Sequence, residues 1–137
     1  MKITIVRDIE KEMVLTREKI ESLRTAATNI TPTIDGLPRA KASASKIEKA
    51  TVQIVDAQRR LAELAAEYVT ATIELAEEIY RRVKGVASEV LIQRYILGRS
   101  FAEIAADMNY DTSNIYRLHK HGKREFERAD TDDKNQN

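Results

Sequence analysis

The sequence predicts an all-α fold, a long antiparallel helical hairpin of coiled-coil character followed by a small three-helix domain. Three observations predict it. Apolar residues recur at intervals of seven along two long segments. Only two Pro and four Gly interrupt 137 residues, and Ala, Glu, Lys, Arg, Ile and Leu dominate, a mixture that favours helix over a sandwich or barrel. Near the C-terminus, short amphipathic segments are separated by Gly98 and by the break "MNYD".

The first helix is expected over residues 4–29. Val6, Met13, Ile20 and Ala27 form one row, and Ile9, Thr16, Leu23 and Ile30 its companion, with one polar fault at Thr16. The stretch "NITPTIDGLPRAKASAS", residues 29–45, holds both prolines and many small polar residues, so it reads as a linker. Ser45 and Glu48 then match a capping box that would open the second helix. That helix runs to Lys84 with Ile47, Ile54, Leu61, Tyr68 and Leu75 at sevens and Ala50, Ala57, Leu64 and Ala71 alongside. Past Leu75 the stripe drifts to Ala76, Ile79 and Val83, as a straight helix drifts from a strict heptad. The second helix outruns the first by roughly 20 Å at the usual rise. Its surplus length must find another partner, the C-terminal domain or a second chain, and the Ala-lined stripe adds the expectation of a homodimer through this helix.

Gly85 breaks the chain, and a third helix is expected over residues 87–97 with Gly98 as its C-cap. Ser100 and Glu103 make a capping box for a fourth helix ending near Met108. Asp111 caps a fifth, reaching about Arg128, and Tyr110 with Ile115 is spaced as a hydrophobic staple. The predicted domains are therefore a hairpin over 1–84, a helix-turn-helix over 86–128 and a disordered polar tail over 129–137. By period the second domain's core is Val90, Leu91, Tyr95, Ile104, Ala105, Met108, Ile115, Leu118, Gly122 and Phe126. Gly122 lies inside a helix, where a close crossing would account for it.

A three-residue turn between the last two helices is the layout of a helix-turn-helix. Residues 112–124 carry Arg117, Lys120, Lys123 and Arg124 and no acid, while Glu103, Asp107 and Asp111 precede them. A helix entering the major groove should lead with short polar side chains and follow with long basic ones for phosphates. Thr112, Ser113, Asn114, Tyr116 and Arg117 are the candidate base contacts, with Arg117 suited to a bidentate guanine contact. Lys120, Lys123, Arg124 and Arg99 are the candidate phosphate contacts. The plainer reading of such a charge run is the solvated face of a surface helix.

The segment "VLIQRYILGRSFAEIAADMNYDTSNIYRLHKHGKREFE", residues 90–127, resembles region four of sigma-70-type factors. Arg94, Tyr95, Gly98, Ser100, Glu103, Ile104 and Ala105 occupy that pattern's positions, followed by a recognition helix that opens with Thr and Ser. The whole chain looks like small phage-encoded helix-turn-helix proteins, regulators of the ArpU type and their relatives. These share an N-terminal helical pair and a joint like "NITPTIDGLPRAKASASKIE". Nothing in the first 85 residues resembles the other sigma regions. The resemblance thus implies a module that binds DNA or touches polymerase, not a complete sigma factor.

Other chemistries find little support. There is no Cys, which fits a reducing cytoplasm and excludes thiolate metal sites. No apolar run approaches the roughly 20 residues that cross a bilayer, and charges interrupt "MKITIVRDIEKE" too early for a signal peptide. His119 and His121 point to different helix faces, so no shared metal site is expected. His119 reads as packed or phosphate-adjacent and His121 as exposed. Glu77 with Arg81 and Glu78 with Arg82 read as ordinary i,i+4 pairs. No catalytic residue, metal or cofactor is predicted, and no enzymatic activity. The expected function is sequence-specific binding of double-stranded DNA by a phage or prophage transcriptional regulator. The alternatives are a DNA-packaging recognition subunit of small-terminase type, or an RNA polymerase-binding module that does not itself bind DNA.

Overall fold

The computed structural model describes residues 1–29 and 37–135, with side chains for 1–29 and 44–129. Among the described residues every element is helical: α1 (Ile5–Thr28), α2 (Leu37–Arg82), α3 (Val86–Leu91), a π-helical segment (Ile92–Ile96), α4 (Phe101–Met108) and α5 (Thr112–Asn135). The chain is all-α, with a long N-terminal helix pair and a C-terminal cluster of helices.

The second helix starts earlier than expected. It opens at Leu37, so Ser45 is an interior helix residue and not a cap. Pro38 stands in its first turn, where the missing N–H costs no hydrogen bond, and the Ala-containing stretch behind it has the propensity to continue. The expected linker over 29–45 shrinks accordingly. Residues 30–36, with Ile30 of the predicted seam, lie outside the described residues. At the other end α5 continues past Arg128 to Asn135, through most of the segment expected to be a disordered tail. Residues 136–137 lie outside the description.

The chain divides into two compact units, Ile9–Glu67 and Met1–Asp8 with Tyr68–Asn137. The start of α1 thus groups with the end of α2, as an antiparallel pair requires. In the unit Ile9–Glu67, Met13 and Ile20 of α1 and Ala57 and Leu64 of α2 are buried. In α2 the row of Ala57 and Leu64 is therefore better buried than the row that starts at Ile47, which is 41% exposed. The fault at Thr16 is absorbed locally, since its hydroxyl donates to the Glu12 carbonyl at 2.7 Å. Arg60 holds Glu12 at 2.9 Å across the pair. Both side chains are well exposed, so this bridge contributes little.

The other unit does not respect the expected division at residues 84–86. Leu75 and Ile79 near the end of α2, and Val83 just beyond it, are fully buried along with Val6, Leu91 and Phe126. Arg82 fastens α2 to α5: its Nη1 donates to the Phe126 carbonyl at 3.2 Å, and its guanidinium lies 4.8 Å over the Phe126 ring. Glu78 pairs with Arg82 at 2.6 Å and also takes Arg81, one position closer than the i,i+4 partner read from the sequence. These two cations, Arg81 first, hold the Glu78 carboxyl below its ordinary range.

The third helix changes pitch within its expected span. After Leu91 the ladder loosens into the π-helical segment, with Leu97 N–H donating to the Ile92 carbonyl at 3.1 Å. Arg7 of α1 finishes it: Nε donates to the Tyr95 carbonyl at 3.2 Å and Nη2 to the Ile96 carbonyl at 2.6 Å. Gly98 follows at φ +70°, a conformation that disfavours side chains, and a Cβ there would stand 2.3 Å from Arg7 Nη1. Both prerequisites point to glycine.

Candidate nucleic-acid interface

α3, α4 and α5 enclose a small core of Val90, Ile104, Ala105 and Ile115, with Phe101, Met108 and Leu118 packed on it. Helical period selects all of these except Phe101. α4 begins on the predicted capping box, with Ser100 Oγ accepting from Glu103 N–H and Glu103 Oε2 from Ser100 N–H, each at 3.1 Å. It ends at Asn109, which takes the left-handed conformation at φ 58°. Asn tolerates that conformation better than most residues, and the turn Asn109–Tyr110–Asp111 then delivers the chain to α5.

Ile115 is the buried anchor of α5's first turns. Because one residue in three or four faces inward, its neighbours face out: Thr112, Ser113, Asn114, Tyr116 and Arg117 are all exposed. Tyr116 is 53% exposed, yet one side of its ring rests on Phe101 with centroids 4.4 Å apart. Arg117 Nη2 donates to Asn114 Oδ1 at 3.3 Å, so two candidate base-reading side chains share one bond on the surface.

The basic residues continue along the same helix. Lys120 and Arg124 are exposed and Lys123 is half-buried. With Tyr116, His119 and Glu127 they line an open cavity of about 480 Å³. Arg99 stands apart from this row. Its Nη1 donates to Gln93 Oε1 at 3.0 Å and lies 3.6 Å from Asp107, which itself accepts from Gln93 Nε2 at 3.0 Å. Its charge is therefore partly spent inside the protein.

His119 is the packed histidine expected from its position. Its Nε2 lies 2.7 Å from Tyr95 Oη, and its ring meets the Phe101 edge at 4.9 Å. Burial, then Lys123 and Arg94, push the imidazole below its ordinary 6.5. Burial raises the Tyr95 phenol. The two groups share one hydrogen bond whose direction follows the imidazole tautomer. Arg94 stacks 4.4 Å over Phe101 on the other side of the cluster. This aromatic floor beneath the basic row was not legible as a unit, because its members come from three separate elements. His121 is exposed as expected and lies 2.8 Å from Glu125.

Among the described residues no group of three or more metal-ligating side chains gathers. No described helix is long and apolar enough to cross a membrane. No protein-family model, curated protein or solved structure matches this chain.

Proposed function

We propose that the chain is a non-enzymatic, cytoplasmic DNA-binding regulator of phage or prophage type that sets the first two turns of α5 into the major groove of duplex DNA. The observation that carries this reading is the exposed, acid-free face of α5 from 112 to 124, standing on the buried Ile115 anchor. A duplex supplies what such a face needs: base edges in the groove and phosphates on either side. Thr112, Ser113, Asn114, Tyr116 and Arg117 read bases, and Lys120, Lys123 and Arg124 take phosphates. The Asn114–Arg117 bond orients both side chains before DNA arrives, which lowers the ordering cost of binding.

The test is retention of duplex DNA by the full chain and by the triple variant Asn114→Ala, Arg117→Ala, Lys120→Ala. The wild type should bind with an affinity that falls steeply with salt, and the triple variant should lose both affinity and sequence discrimination. Arg117→Ala alone should cost about 1–3 kcal/mol at its base pair. Unchanged DNA retention by the triple variant, with helicity intact, would remove the reading.

A further inference from the structure

The basic row of α5 does not stop at its own residues. Beyond Lys123 a second cavity, about 340 Å³, is lined by Met1, Lys2, Ile3, Thr4, Lys123, Phe126 and Glu127. Lys123 and Glu127 border both cavities. Together the two hold Lys2, Lys120, Lys123 and Arg124 against one carboxylate, Glu127. The combined surface is therefore set up for an extended anion and not for a cation.

Lys2 is not on a loose end. Ile3 is 8% exposed and Val6 fully buried, so the backbone on its C-terminal side is locked into the core. Four residues past Ile3, Arg7 clamps the Tyr95 and Ile96 carbonyls. The Lys2 side chain is exposed beside Lys123 while its attachment point is fixed. A cation held this way loses little freedom when it meets a phosphate.

We propose that Lys2 is a backbone-phosphate contact of the same duplex, gripping the strand beyond the phosphate that Lys123 meets. This inference rests on the DNA-binding reading and extends its footprint from α5 to the first residues of the chain. Such a contact positions the duplex but carries no sequence information.

The experiment measures affinity of the full chain for specific and scrambled duplexes across a salt series, for wild type, Lys2→Gln, Lys2→Arg and Lys123→Gln. Lys2→Gln should weaken both duplexes by the same factor and make the slope of log affinity against log salt shallower by about 0.9, the value of one neutralised phosphate. Lys2→Arg should keep the wild-type slope, and Lys123→Gln should flatten it like Lys2→Gln. If Lys123→Gln weakens binding and Lys2→Gln does not, Lys2 is no contact and the inference falls alone. If the wild type binds neither duplex, the DNA-binding reading falls and takes the inference with it.

Discussion

Gly122 sets how closely α5 can lie on α3. A Cβ at this position would stand 3.1 Å from Leu91 Cγ and 3.4 Å from the Ala87 carbonyl. Alanine in a helix interior gains roughly 1 kcal/mol over glycine. Leu91 is fully buried, however, and overpacking a filled core costs about 1–3 kcal/mol. The packing cost should win, so Gly122→Ala is expected to lower stability by about 1 kcal/mol, visible as a lower melting temperature by circular dichroism. A higher melting temperature would show that α5 shifts freely at this crossing. The sequence already pointed to a close approach here, because an interior glycine asks for a compensating contact. What the sequence did not reveal was the role of Arg7. Its partners are backbone carbonyls 88 and 89 positions away, and carbonyls leave no mark on residue identity.

At the scale of elements, helical period was a good guide and end signals a mixed one. Ser100 and Glu103 both marked and made a cap, with Gly98 ahead of them to stop the preceding helix. Ser45 and Glu48 have the same spacing, but no breaker separates them from helix-forming residues upstream, and α2 runs straight through them. α2 also carries more apolar surface than α1 covers. The Ala-lined stripe expected to dimerise is spent within the chain, since Ala57 and Ala71 are buried. Within the unit that holds α5 a different set remains open: Val69, Ile73 and Tyr80 are 54–60% exposed and recur at helical spacing. We propose that a second copy of α2 covers this row, which would place two α5 helices on one duplex as paired half-sites require. Sedimentation at micromolar concentration should give a dimer mass, and Val69→Glu with Ile73→Glu should give a monomer of unchanged helicity. A monomeric wild type would remove the proposal, and a large closed ring would favour the packaging alternative.

At the scale of the molecule, the compact unit that holds α5 is larger than the C-terminal third that the motif outlines. Residues 1–8 and the end of α2 share a core with α3, α4 and α5. The fragment 86–137 should therefore be less helical and melt less cooperatively than the full chain, because it lacks Val6, Leu75, Ile79 and Val83 together with Arg7 and Arg82. A fragment with full-chain cooperativity would show that the three short helices suffice. The hairpin and the three-helix cluster were legible because periodic burial writes itself into the order of residues. Their true boundary was not, because the pieces that complete the second core lie at opposite ends of the chain. Lys2 illustrates the same limit: a single lysine near the N-terminus carries no local signal that α5 will come to stand beside it.

The clamp of Arg7 on the carbonyls of Tyr95 and Ile96 also imposes an order in time. A ribosome adding about 5–20 residues each second makes Arg7 roughly 4–18 seconds before those carbonyls exist. The first turn of α1 must wait through that interval without this clamp. The helix that is proposed to read DNA is made after α1 and α2, and the unit beneath it can close only when residues 1–8 meet the segments that follow residue 68.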